Sequence, residues 1–243
     1  MIEKTAGKIE KMFSAIAPSY DLLNLLLSAG RDRYWRKRGI QRLSPGKGRY
    51  LDLACGTCDL ALEMRRQGAD SEIIAADFSH EMLLLGKEKV NGNNIRIVRG
   101  DALSLSFSDD MFTGVTCAYG IRNFENLEKG LAEILRVLKP GGRAMILEFT
   151  TPANKYVRAA YLFYFTRILP LIGGIVSGNF EAYSYLPLSA IKFPDRKKLV
   201  AIFQSVGFAD VKVTPLTFGI CDLLYAEKPI IKNGTVDSSD DSR

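Results

Sequence analysis

Between residues 49 and 149, short apolar runs alternate with segments in which apolar residues recur every three or four positions. The runs, bounded by turn residues, predict strands at 49–54 (RYLDLA), 72–77 (EIIAAD), 95–99 (IRIVR), 112–118 (FTGVTCA) and 143–149 (RAMILEF). The helical period predicts helices near 58–67, 80–90 and 125–138, the last stopped by Lys139-Pro140-Gly141-Gly142. An aromatic helical region at 154–176 and a helix near 194–205 follow. Two closing runs, 208–215 and 218–227, are joined so tightly that they must pair antiparallel. Strands alternating with helices predict an α/β fold built on a mostly parallel sheet, and no internal repeat is visible.

Composition narrows the classes. The chain has 243 residues, 47% hydrophobic and 25% charged, which excludes a disordered or fibrous protein. A chain this long buries a sizeable core without disulfide or metal staples. Cys55, Cys58, Cys117 and Cys221 are too few and too scattered for a secreted disulfide framework. The opening MIEKTAGKIEKMF has no apolar run of signal-peptide length. The most hydrophobic stretch, 156–176, is broken by Arg158, Arg167, Pro170 and Gly173-Gly174, which argues against a membrane span. A cytoplasmic location is therefore expected. The tail at 230–243, ending GTVDSSDDSR, reads as disordered.

Charge is unevenly placed. Arg31, Arg33, Arg36, Lys37, Arg38, Arg42, Lys47 and Arg49 face one acid, Asp32, so 31–49 carries more positive charge than the whole chain's +6. Such a patch suits a nucleic acid, a membrane surface or an anionic ligand, or is one solvated helix face.

The chemistry concentrates in Leu51-Asp52-Leu53-Ala54-Cys55-Gly56-Thr57-Cys58-Asp59, where a buried strand enters a turn of small residues and then a helix. That arrangement lets a nucleotide-like ligand approach backbone amides. It is not the G-x-G-x-x-G of dinucleotide enzymes. It fits an acid-x-small-x-Gly-x-small pattern, with Asp52 where the amino group of a methionine moiety would sit. Asp77 ends the next strand at the spacing where a carboxylate accepts both ribose hydroxyls, and Gly100-Asp101-Ala102 ends the third, beside an adenine. Three such positions at one sheet edge place S-adenosylmethionine ahead of NAD as the cofactor. Seven strands with a terminal antiparallel pair likewise match the class I methyltransferase sheet better than a six-stranded dinucleotide fold. Cys55-Gly-Thr-Cys58 is formally C-x-x-C, a redox pair or half a metal site in form, but no second pair exists and the one histidine, His80, is far away in sequence. No metal site is therefore expected, and small turn residues are the better account. Ser79 reads as a helix cap with His80 on the first turn.

At this point the residues resemble the quinone-biosynthesis C-methyltransferases of the UbiE/MenG family. Tyr20-Asp21-Leu22-Leu23-Asn24 with Ser28 and Trp35 is similar to that family's Y-D-x-M-N-x-x-x-S-x-x-x-H-x-x-W. Arg136-Val137-Leu138-Lys139-Pro140-Gly141-Gly142 leading to Glu148-Phe149-Thr150, Gly120-Ile121-Arg122-Asn123, and Leu216-Thr217-Phe218-Gly219-Ile220 also look like family motifs. Asp32 stands at the family His, Leu23 at its Met, Thr150 at a Ser, Cys58 at a Gly, and Ala118 where some members have Ser. The resemblance implies Thr57, Asp77, Asp101 and Ala102 as cofactor contacts. With Asp52, Gly56, Phe78 and Tyr119 they make the candidate cofactor-binding set. It also implies one methyltransferase domain over 1–229, with a helical lid at 1–45 and a helical insertion at 152–192.

The implied reaction is C-methylation of a prenylated quinol, demethylmenaquinol foremost, with another phenolic or lipid substrate as the alternative. Carbon attack requires a phenolic proton to be lost. Arg122 cannot act as a base, since a guanidinium pKa lies above about 12, so it is expected to stabilise the phenolate while Asn123 orients it. Tyr20 is expected at the lid or on the quinol head. Five aromatics between 156 and 165 suit a core helix or an apolar groove for the prenyl tail. The basic segment is then assigned to an anionic membrane surface on the inner face of the plasma membrane, with no nucleic acid partner and a homodimer left open.

Overall fold

The computed structural model describes residues 6–68, 70–232 and 235–236. Helices α1 (Ala6–Leu27) and α2 (Arg31–Leu43) precede a sheet of β1 (Gly48–Leu53), β2 (Ser71–Asp77), β3 (Ile95–Arg99), β4 (Phe112–Ala118), β5 (Leu138–Phe149), β6 (Ala209–Leu216) and β7 (Cys221–Glu227). The order is β3-β2-β1-β4-β5-β7-β6. Strands β1 to β5 run parallel and β7 is antiparallel to both its neighbours, as the short link between the closing runs requires. This is the seven-stranded sheet expected from the sequence. Strand order reverses between β1 and β4, which makes the crevice at their carboxyl ends the natural ligand site.

Side-chain alternation decides which helices lie on which face. Ile74 and Ala76 of β2, Ala144 and Ile146 of β5, and Leu224 and Ala226 of β7 share one core with Leu131 and Ile134 of α5 (Leu127–Val137) and Leu199 and Phe203 of α9 (Arg196–Val206). Ile73 and Ala75, Met145 and Leu147, and Leu223 point the other way. They pack on Trp35, Ile40 and Leu43 of α2 and on Leu60 and Met64 of α3 (Asp59–Arg66). The next helix, α4 (His80–Lys89), starts where the sequence places it, with the Ser79 hydroxyl accepting from the Met82 N–H.

A third core joins α1 to the helices between β5 and β6, where Ile16 and Leu23 of α1 meet Tyr161, Phe165, Leu169 and Tyr183. The aromatic region is a helix α6 (Lys155–Phe163), a π-helical turn (Tyr164–Ile168) and α7 (Leu169–Ser177), followed by α8 (Phe180–Lys192). Its aromatics divide by helical spacing. Tyr161 and Phe165, four apart, turn inward, whereas Tyr156 and Phe163 are exposed.

Two boundaries differ from the expectation. The Lys139-to-Gly142 stop is not a break before the strand, because β5 already begins at Leu138, paired with Phe112, and the ladder shifts register before Gly114. Gly141 N–H donates to the Lys228 carbonyl and Lys228 N–H to that of Gly142, so the apparent turn is hydrogen-bonded to the chain beyond β7. In the tail, Ile231–Lys232 and Thr235–Val236 pair antiparallel as β8 and β9. The rest of the predicted disordered tail lies outside the described residues.

Candidate functional site

Three cavities meet at Tyr20 of α1 and Tyr119 at the end of β4, the two residues that border all of them. The first, about 130 Å³, lies over the carboxyl ends of β1 to β4. It is lined by Gly56, Asp77, Phe78, Asp101 and Ala102 of the predicted cofactor set, with Met82, Leu103 and Phe124 adding apolar walls and Asn123 also on its edge. Asp77 is tied in place by backbone: one carboxylate oxygen accepts from Gly56 N–H and the other from Ser79 N–H, both at 2.8 Å. Burial pushes its pKa up against these hydrogen bonds. Asp101 caps its own turn by accepting from Leu103 N–H at 2.9 Å. Gly120 lets the β4 end close on the β1 end, since a Cβ there would come 2.7 Å from both Ala54 Cβ and Cys117 Sγ.

Asp52 and Thr57 border instead the small third cavity, of about 30 Å³, with Arg36, Ala54 and Asp59. Asp52 is buried, accepting from Ala61 N–H at 3.0 Å and from the Thr116 hydroxyl at 2.9 Å. Loss of hydration raises its pKa to about 7. Thr57 is turned away from the first cavity, its hydroxyl donating to Asp21 of α1 at 2.6 Å. Lys89, from the last turn of α4, reaches Asp21 at 2.7 Å, Thr57 at 3.0 Å and Asp59 at 2.5 Å. Nothing in the sequence singles out Lys89, because its partners lie 30, 32 and 68 positions away.

The cysteine pair shows why a side chain is tolerated where the family has glycine. Cys58 is buried in a left-handed conformation, φ 67°, and its Sγ occupies the space above Gly86 of α4, where a Cβ would approach to 2.7 Å. Its thiol faces Cys55 Sγ at 3.7 Å, and burial drives the Cys55 pKa well up, which suits an inert packing residue. His80 is exposed on the first turn of α4. Among the described residues no cluster could hold a metal ion.

The second cavity, about 490 Å³, lies between α1, the end of β5 and the insertion. Tyr119, Phe149, Tyr161, Tyr164, Phe165 and Tyr185 make it aromatic, and Arg122 and Asp32 also border it. Tyr119 stacks on Phe149 at 4.7 Å, and Trp35 of the first family motif meets both rings edge-on. Arg122, expected from the sequence to stabilise a phenolate, is held by a carboxylate of its own. It is 2% exposed and ion-paired with the equally buried Glu148 at 2.7 Å, while the same nitrogen also donates to the Tyr119 carbonyl. Glu148, read only as part of a motif, is thus the missed partner. Asn123 accepts from the Tyr185 hydroxyl of α8 at 3.0 Å, which links the β4 end to the insertion.

The basic segment is likewise not one uniform patch. Arg36 is buried, paired with Asp32 at 2.7 Å and Asp59 at 3.2 Å, and Arg49 pairs with Glu72 at 2.6 Å. Asp32, at the family His position, is buried against Arg36 and the Ser28 hydroxyl.

Known proteins resemble this chain in sequence and in fold. A model of the ubiE/COQ5 methyltransferase family matches residues 1–228. A ubiquinone/menaquinone biosynthesis C-methyltransferase UbiE of Geobacter sulfurreducens is 48% identical over 91% of this chain and 88% of its own length. A demethylmenaquinone methyltransferase of Thermus thermophilus is 45% identical over 90% of this chain and all of its own. A crystal structure of a SAM-dependent methyltransferase from Thermotoga maritima superposes with a TM-score of 0.64 at 16% identity, covering 90% of this chain and 99% of that one, which supports the fold. With S-adenosylmethionine as its cofactor, a matching family model and this similarity over nearly the whole chain, the protein belongs to the ubiE/COQ5 methyltransferase family.

Proposed function

We propose that this chain methylates a ring carbon of a prenylated quinol, demethylmenaquinol foremost, and that the observation carrying this reading is the junction of the polar crevice with a large aromatic cavity at Tyr20 and Tyr119. A bound S-adenosylmethionine supplies an electrophilic methyl group together with its own leaving group. Asp77, Asp101, Ala102, Gly56 and Phe78 would hold its adenosine part. Asp52 and Thr57, on the third cavity, would hold its methionyl part. The apolar second cavity takes an aromatic ring and the first part of an isoprenoid tail, for which charged or sugar-like substrates offer no match.

The protein's remaining task is to keep the site dry and favour the phenolate. Arg122, neutralised by Glu148, contributes a fixed dipole beside the ring, and Asn123, clamped by Tyr185, orients it. Tyr20 closes the boundary between ring and cofactor. A chain that instead methylates another phenol or lipid would leave quinones untouched. The deciding measurement is the quinone profile of cells lacking the protein: accumulation of a demethylated quinone supports the reading, and an unchanged profile removes it.

The insertion also suits contact with a membrane surface. Tyr156 is 74% exposed, and Phe163, Leu171, Ile175 and Phe180 are exposed beside the cavity that would receive the tail. No helix among the described residues is long and apolar enough to cross a membrane. Flotation with anionic vesicles tests this peripheral docking at the inner face of the plasma membrane. Sedimentation without lipid tests the other use of the same face, a homodimer.

A further inference from the structure

The wall of the second cavity holds a hydrogen-bond donor that the fold itself leaves unused. Tyr161 of α6 is 8% exposed, its ring stacked on Phe165 at 4.8 Å, and both border the cavity. Its hydroxyl is buried with no hydrogen-bond partner. The neighbouring Tyr185 shows the contrast, since its hydroxyl is committed to Asn123. Buried side-chain hydroxyls are in the large majority satisfied, and phenylalanine would fill the same volume with no polar atom to desolvate. A donor in this wall that the fold provides with no acceptor therefore points to an acceptor on the molecule that fills the cavity.

Arg122, a charged group of the same wall, is held by Glu148 and the Tyr119 carbonyl, so its charge is largely cancelled where an anion would form. Tyr161 feels the Arg122 guanidinium, but burial is the stronger influence on it and keeps the phenol protonated. It is thus a neutral donor at neutral pH.

We propose that the Tyr161 hydroxyl donates a hydrogen bond to the quinol oxygen that becomes negative during ring methylation, which makes Tyr161 a catalytic residue. This rests on the quinol reading above. In the balanced reaction the phenolic proton leaves to solvent, a carbon–methyl bond forms as the methyl–sulfur bond breaks, and the proton on the methylated carbon then returns to the oxygen. The quinol loses one proton net, and Tyr161 keeps its own throughout.

The test is Tyr161→Phe in the full-length chain, assayed with S-adenosylmethionine and a freshly reduced short-chain demethylmenaquinol. Removing one donor to a developing oxyanion lowers kcat on the order of 100-fold. The affinity for S-adenosylhomocysteine, read by calorimetry, stays at the wild-type value, and Tm stays level or rises because a buried unpaired hydroxyl is gone. The kcat loss shrinks for a quinol ring carrying an electron-withdrawing substituent, whose phenolate needs less stabilisation. A kcat within twofold of wild type overturns the proposal. So does a kcat loss matched by lost S-adenosylhomocysteine affinity or a lowered Tm, which marks a packing role. If the wild-type chain itself does not methylate the quinol, the functional reading fails, a result distinct from an active wild type with an equally active variant.

Discussion

Asp21 in the middle of α1 accepts the hydroxyl of Thr57 in the turn after β1 at 2.6 Å, and Lys89 ties both to the end of α4. Helix α1 is thereby tied to the turn after β1 by side chains from three elements. Asp21→Ala removes the acceptor without touching a core. At a site this exposed the ion-paired hydrogen bonds are worth about 0.2–1 kcal/mol. The KM for S-adenosylmethionine is expected to rise several-fold and S-adenosylhomocysteine to dissociate faster in stopped-flow measurements, with Tm nearly unchanged.

The Arg122–Glu148 pair is buried on both sides, so removing one member strands the other. Arg122→Ala is expected to cost about 3–5 kcal/mol in denaturant unfolding. Arg122→Met combined with Glu148→Gln should recover part of that stability, because Gln keeps one acceptor oxygen where Glu148 uses two, Oε2 for the Arg122 N–H and Oε1 for the Phe149 N–H. Turnover should stay low in the double variant. Recovery of turnover would show that Arg122 serves the fold alone.

Asp77 organises two backbone amides as well as facing the first cavity. Asp77→Ala leaves both N–H groups without their acceptor, and each charged hydrogen bond contributes about 1.5–3 kcal/mol. S-adenosylhomocysteine affinity, measured by calorimetry, is expected to fall by at least tenfold. Asp77→Asn, which keeps one acceptor oxygen, should lose less.

Asp52 gives a pH signature with a definite sign. Its pKa is raised from 3.8 to about 7 in the fold, so the native state holds this proton more tightly than the unfolded chain. Its contribution to stability therefore falls as pH rises between those two values and is level above them. Asp52→Asn removes that loss, and Thr116 can redirect its hydroxyl to the Leu51 carbonyl, 3.4 Å away. The Tm of the variant relative to wild type should climb from pH 5 to pH 8. A difference that does not vary with pH would show an ordinary, ionised Asp52.

Local pattern reached far along this chain. Strand alternation, the Ser79 cap and the turn at Gly56 are effects of neighbouring residues, and they recur in the structure within a residue or two. The Lys139-to-Gly142 stretch misled because its partner is Lys228, far along the chain, whose backbone turns an apparent stop into part of a ladder. The partner of Arg122 escaped the sequence for the same reason: no spacing rule connects a strand-end arginine to a carboxylate 26 residues later.

The sequence alone determined the α/β class, the seven-stranded order of events and the acids at successive strand ends, because period, caps and turn residues act over a few positions. Tertiary structure alone decided which charges are spent on one another and which polar atoms remain to meet a ligand. Arg36, Arg122 and Lys89 find their carboxylates across elements, and Tyr161 finds none for its hydroxyl. Burial and distance set the energy of a charge or a hydroxyl, and both exist only once α1, the sheet and the helices between β5 and β6 have come together.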